Sequence, residues 1–129
     1  MVDHAITLPQ LLETRHANIP IYLLLMTPGA KFIAARNTPE GDEMRRQHLL
    51  YLWELEEAGK LLGCGPRDAG LPTQEGMGLL LAGSREEAEE IARNEPYAKA
   101  GWRANRIASW RLNEGVAVDF VRRILAAQT

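Results

Sequence analysis

Two residues in this 129-residue chain have the chemistry to move a proton near neutral pH. His48 stands in "MRRQHLLYLWELEE", and Glu95 stands in "ARNEPYAKAG", directly before Pro96. An unperturbed imidazole titrates near pH ~6.5, where general acid–base chemistry operates. Such a base needs a carboxylate on its second ring nitrogen to hold one tautomer. Each residue also has a plainer reading. A lone His on an apolar helix face is more often a satisfied core or interface histidine. The residue before a proline is pushed toward extended backbone, as at an N-cap, so Glu95 is fully explained as the flank of a turn over "PYAKAG". Glu is a poorer N-cap than Asp, Asn or Ser, which leaves room for a second role. Spacing alone keeps both readings open.

Other candidates are weaker. The Tyr97 hydroxyl could bond a ligand, or the ring could pack on a sheet. Arg103, Arg106 and Arg111 could attract an anionic substrate, or form the solvated rim of a strand. Gly63, Gly65, Gly76 and Gly78 are not spaced as a phosphate cradle and read as bends in twisted strands. Trp53, Trp102 and Trp110 read as core or interface anchors. Cys64 is the single cysteine and reads as a small buried hydrophobe. With His4 and His16 distant from it, no metal-ligand spacing appears, so neither a metal nor a disulfide is expected.

The elements that must position these residues follow from local pattern. A leader over residues 1–18 holds a short helix in "LPQLLETRH". "IPIYLLLMT" is a strand that stops at Pro28-Gly29, and a loop through "PGAKFIAARN" follows. Thr38-Pro39 opens an amphipathic helix on which Met44, His48, Tyr51, Leu52 and Leu55 share a face, and Gly59 ends it. Strands over 60–66 and 75–83 come next. Ser84 and Glu87 form a capping box for a helix over "REEAEEIARN". A strand over 102–112 and a C-terminal helix complete the chain, with Ala117, Phe120, Val121, Ile124 and Leu125 on one face of that helix. The order βαββαβ with right-handed crossovers predicts a ferredoxin-like α+β domain, with a four-stranded antiparallel sheet and two helices on one face.

The first strand is apolar on both sides, Ile21, Leu23 and Leu25 on one and Tyr22, Leu24 and Met26 on the other. The face without helices therefore needs a cover. A second copy or the C-terminal helix could supply it, and two-fold symmetry favours a homodimer.

Bulk properties narrow the function. Net charge is −2, so no overall nucleic-acid footprint exists, although twelve of the fifteen cations are Arg. No run is long enough to span a bilayer, and "MVDHAITLPQ" does not read as a secretion signal. A cytoplasmic protein is expected.

The stretches "QHLLYLWELEEAGKLLGCGP" and "SREEAEEIARNEPYAKAGW" resemble the YCII-related family. Its pattern is a His in a helix, an EEGKLLxAGP-like turn into a strand, then a helix ending in acid-Pro-Tyr/Phe and a Gly. The resemblance covers roughly residues 19 to 112, leaving 1–18 as leader and 113–129 as a C-terminal helix extension. It implies a ferredoxin-like fold in a dimeric α/β barrel, sheets face to face, and a pocket holding a His–acid pair, here His48 and Glu95. It is similar, more distantly, to muconolactone-isomerase-type proteins and to a dehydrochlorinase acting on chlorinated hydroxyquinones. The family usually has Asp where this chain has Glu95, one carbon–carbon bond of about 1.5 Å longer.

These readings lead to a cofactor-independent enzyme of isomerase or lyase type. His48 moves a proton on a small anionic cyclic substrate, Glu95 orients it, and Tyr97, Arg103 and Arg106 bind the substrate. The alternatives are a dimer that binds a small ligand without turnover, and a structural dimerisation module that docks partners through its C-terminal helix.

Overall fold

The structure is a computed structural model, and it describes residues 1–128. Its elements run α1 Leu8–Arg15, β1 Ile19–Pro28, α2 Ala30–Ala34, α3 Pro39–Glu57, β2 Leu61–Arg67, β3 Glu75–Leu80, α4 Arg85–Asn94, α5 Pro96–Lys99, β4 Arg103–Leu112 and α6 Ala117–Ala127. The chain divides into two units, Ile21–Trp110 and the two terminal segments that flank it.

The unit Ile21–Trp110 is the ferredoxin-like α+β domain, its four strands in the order β2-β3-β1-β4. Both β1 with β3 and β2 with β3 pair antiparallel, and Leu24 sits opposite Gly78 in the centre. Strand alternation sends Leu24, Met26 and Leu80 to the helix side, where they meet Ala88, Ile91 and Ala92 of α4. Tyr51 and Leu55 of α3 pack on the same cluster, so both long helices cover one face. The Tyr51 hydroxyl donates to the Ile91 carbonyl at 2.8 Å and ties α3 to α4.

The helix ends follow their local chemistry. Thr38 Oγ1 accepts from the Gly41 N–H at 3.1 Å and donates to the Ala35 carbonyl at 2.6 Å. Gly59 ends α3 with φ +70°, a conformation that costs Gly nothing. At α4, Ser84 accepts from the Glu87 N–H, but the Glu87 carboxylate turns to the Gly83 N–H at 2.7 Å and to Lys60 at 2.6 Å. The capping box is thus half-formed, because a lysine competes for its acid.

Three expectations are corrected. The loop after β1 contains the helix α2. β3 ends at Leu80 rather than at Gly83. Cys64 is exposed, because β2 is an edge strand. Of the three tryptophans, Trp102 is in the core, while Trp53 is 59 % and Trp110 44 % exposed, as the interface alternative for them requires.

In the terminal unit, His16 Nδ1 lies 2.8 Å from Glu114 and the Ala17 N–H donates to the Asn113 carbonyl at 2.8 Å. Val121 of α6 is buried, whereas Phe120 on the same predicted face is 56 % exposed. Among the described residues no helix is long and apolar enough to cross a membrane.

Candidate active site

A cavity of about 450 Å³ opens on the helix side of the sheet within the unit Ile21–Trp110. That size suits a small organic ligand, for which pockets of roughly 300–1,000 Å³ are usual. Gly41, Arg45, His48 and Leu52 of α3 line one wall, as a helix does when three- and four-residue steps share a face. Met26, Gly76 and Arg103 supply the floor from three strands, and Cys64, Gly65 and Pro66 supply its edge. Phe32, Tyr97 and Trp102 close the remaining side. A methyl group on Gly76 would meet Met26 Cε at 2.8 Å, so the missing side chain makes room for Met26 at the floor.

His48 and Glu95 meet. His48 Nδ1 is 3.2 Å from Glu95 Oε2, across forty-seven residues of sequence. Glu95 is fully buried and His48 is 8 % exposed. Glu95 also serves as N-cap of α5, with φ −63° and ψ 130°, accepting from the Tyr97 N–H at 2.6 Å on the same oxygen. Its other oxygen, Oε1, accepts from Asn105 Nδ2 at 3.2 Å, and that amide also donates to the Ala92 carbonyl. Capping and pairing are therefore compatible. The added torsion of Glu over Asp is held by donors on both oxygens.

Burial is the largest influence on Glu95 and pushes its carboxyl up. Hydrogen bonds from His48, the Tyr97 N–H and Asn105 outweigh it and hold the group below its ordinary value. An ionised carboxylate only accepts, so His48 donates from Nδ1–H. Nε2 is then the free lone pair, with no hydrogen-bond partner among the described residues, on a ring that lines the cavity.

Arg103 lies at the same cavity. Its guanidinium carbon is 4.2 Å from the Phe32 ring centre and 4.4 Å from that of Tyr97. The Tyr97 ring in turn sits 5.0 Å from His48. Burial pulls the Arg103 pKa down, while Glu95 and Tyr97 favour its charge. Burial also pushes the Tyr97 hydroxyl up, against the pull of Arg103 and Arg45. The Cys64 thiol is likewise raised by its surroundings, with Arg103 opposing.

Of the five residues expected at the site, His48, Tyr97 and Arg103 line the cavity and Glu95 lies directly behind His48. Arg106 does not join them. Alternation turns Arg103, Asn105 and Ile107 toward the helices and Arg106 to the other face, 3.6 Å from Glu75. Arg111 belongs to the terminal unit. Sequence reasoning missed Asn105, Arg45 and Phe32. The spacing carried a signal for the first two, since Asn105 is two residues from Arg103 on a strand and Arg45 is three from His48 on a helix. Gly76, read as a bend, makes room for Met26 at the floor.

Known proteins resemble this one at two levels. The protein is 42% identical over 65 residues to the derivative of benzaldehyde biosynthesis cluster protein C of Emericella nidulans, a match spanning 44% of this chain and 66% of that protein, just under two thirds. A solved structure, the 5-chloro-2-hydroxyhydroquinone dehydrochlorinase of Burkholderia phenoliruptrix AC1100 in complex with 2,5-dihydroxybenzoquinone, superposes with a TM-score of 0.53. That match covers 74% of this chain and 95% of the other at 22% identity, and it shows the shared fold. The model of the YCII-related domain matches residues 21–111, well over half of the chain, and the protein belongs to the YCII-related family.

Proposed function

We propose that the protein is a cofactor-independent enzyme that moves a proton on a small, anionic, cyclic substrate. The observation that carries this reading is the buried Glu95–His48 pair, which leaves Nε2 of a cavity-lining imidazole free. Nε2 takes a proton either from a ring C–H, whose electron pair moves onto a conjugated ring oxygen, or from a ring O–H, whose pair stays on its oxygen. Glu95 holds the tautomer and stabilises the imidazolium that forms. Returning the proton to another carbon completes an isomerisation. If the carbon next to the deprotonated one is tetrahedral and carries a halogen, the electron pair can instead form a double bond between the two and expel halide, which completes an elimination. The dehydrochlorinase of the same fold and the benzaldehyde-cluster relative support a reaction on small ring compounds.

The same reading includes a homodimer packed through the helix-free sheet face. There Leu23, Met77 and Leu79 are half-buried and Trp110 is 44 % exposed, more apolar surface than a lone sheet usually leaves wet.

The test is a panel of lactones and chlorinated hydroxyphenols followed in D2O by proton NMR, with chloride release read in parallel. Wild type exchanges a ring proton or releases chloride for at least one compound, and His48→Gln does neither. Equal rates in wild type and His48→Gln would sink the proposal.

A further inference from the structure

Arg103 is a cation without an anion. Both buried carboxylates of the unit Ile21–Trp110 have counterparts, Glu95 in His48 and Glu75 in Arg67 and Arg106, whereas Arg103 is half-buried. No carboxylate forms an ion pair with Arg103 among the described residues. Its Nε is buried and has no hydrogen-bond partner, and Nη1 reaches only the Met26 sulfur, at 3.7 Å, a weak acceptor. Shielding a guanidinium from water is costly unless something pairs with it. Phe32 and Tyr97 lie against it and stabilise the charge by cation–π contact, but rings supply no hydrogen-bond acceptor in the guanidinium plane.

The two rings also restrict how an anion can approach. Their centres are 5.0 Å apart, so both lie to one side of the guanidinium, and a guanidinium binds an anion through its coplanar N–H edge, which matches two oxygens lying side by side. Gly76 adds no side chain beside the guanidinium, where a methyl group would stand in contact with Nη1 at 3.7 Å. The cavity offers further positive charge from Arg36 and Arg45 against the single acid Asp42.

We infer that Arg103 is the receptor for a flat anion with two adjacent oxygens sharing one charge, and that it selects substrates for the proton transfer at His48. A ring carboxylate and a pair of neighbouring ring oxygens both present this chemistry. The inference rests on the reading above for the word substrate, while the anion site itself stands on the geometry of Arg103.

Binding of benzoate, tropolonate and neutral benzamide, measured by calorimetry at constant ionic strength, tests this. Benzoate or tropolonate binds wild type about tenfold tighter than benzamide, the worth of a charge-assisted pair. Whichever anion leads identifies the source of the two oxygens. Arg103→Gln removes that preference and leaves benzamide unchanged. Arg103→Lys keeps the charge but not the fork, and recovers only part of it. Phe32→Leu retains the guanidinium and weakens the anion by about threefold, as loss of one cation–π face requires. Thermal melts of each variant, with Arg46→Gln on the exposed side of α3 as a surface control, separate lost binding from lost folding. The inference is overturned if neither anion outbinds benzamide at millimolar concentration, or if folded Arg103→Gln binds the anions as wild type does. Proton exchange separates the two proposals. Anion binding at Arg103 without exchange on any ring compound removes the enzyme and keeps the receptor, whereas exchange that ignores Arg103→Gln does the reverse.

Discussion

The two faces of the sheet each bury a carboxylate, and they treat it in opposite ways. On the helix-free face, Glu75 is 7 % exposed and meets two permanent cations, Arg67 at 2.7 Å and Arg106 at 3.6 Å, with the Thr27 hydroxyl at 3.1 Å. On the helix side, Glu95 is fully buried and meets a titratable imidazole, a backbone N–H and an amide. The arginine on that side is left unpaired. A carboxylate neutralised by permanent cations is a structural ion pair. One that orients an imidazole leaves a base to act, and the free guanidinium nearby leaves a place for the anion it acts upon. The difference between a stabilising cluster and a reactive one lies in which partner can change its charge.

The sharpest way to break this comparison is by activity. His48→Gln lowers the rate of ring-proton exchange by about 10²–10⁴, the usual worth of a general base, while Arg106→Gln leaves the rate near wild type. Equal losses in single-turnover measurements would erase the distinction between the faces.

Stability separates the two acids next. Glu95→Ala strands the Tyr97 N–H, Asn105 and the imidazole in a dry environment and costs about 3 kcal/mol. Glu75→Ala frees Arg67 and Arg106, which are 49 % and 60 % exposed and rehydrate, so it costs about 1 kcal/mol. Urea midpoints of the two variants decide it, and a larger loss for Glu75→Ala would reverse the assignment.

Acid titration sharpens the same contrast. The Glu95 pKa is lower in the folded chain than its ordinary 4.5, so the stability it contributes is fully present above that value. It is lost as pH falls from there through the folded pKa. Urea midpoints measured from pH 7 downward therefore fall more shallowly in Glu95→Gln than in wild type. Some acid sensitivity survives in the variant, because Lys60 and the Gly83 N–H hold Glu87 low in the same direction. Identical slopes would show that Glu95 is not held ionised.

The smallest effect is on the cavity floor. Gly76→Ala displaces the flexible end of Met26 and changes stability by about 1 kcal/mol. The added methyl group narrows the space beside Arg103, so benzoate binding weakens severalfold in calorimetry. Unchanged affinity would mean that the ligand does not use that floor.

Much of the frame was legible from local pattern. Thr38 caps and Gly59 ends the helix bearing His48, as their types predict. The proline after Glu95 forces an extended residue there, which the observed φ and ψ match. The site was legible only in part. Both sheet faces are apolar, so alternation alone did not say whether Arg103 or Arg106 turns inward. The same ambiguity hid Asn105, and it made Gly76 look like a bend when its role is to leave space.

By itself the sequence determined the order of the strands and the long helices, the helix face that carries His48 and the backbone state of Glu95. Those depend on neighbours within one turn or one strand, where periods of 3.6 and 2 residues govern. Only the tertiary structure decided that Glu95 reaches His48, that Arg106 belongs to Glu75, and that Arg103 belongs to no acid among the described residues. Partnership between charges depends on distances across the fold, and local spacing carries no information about them.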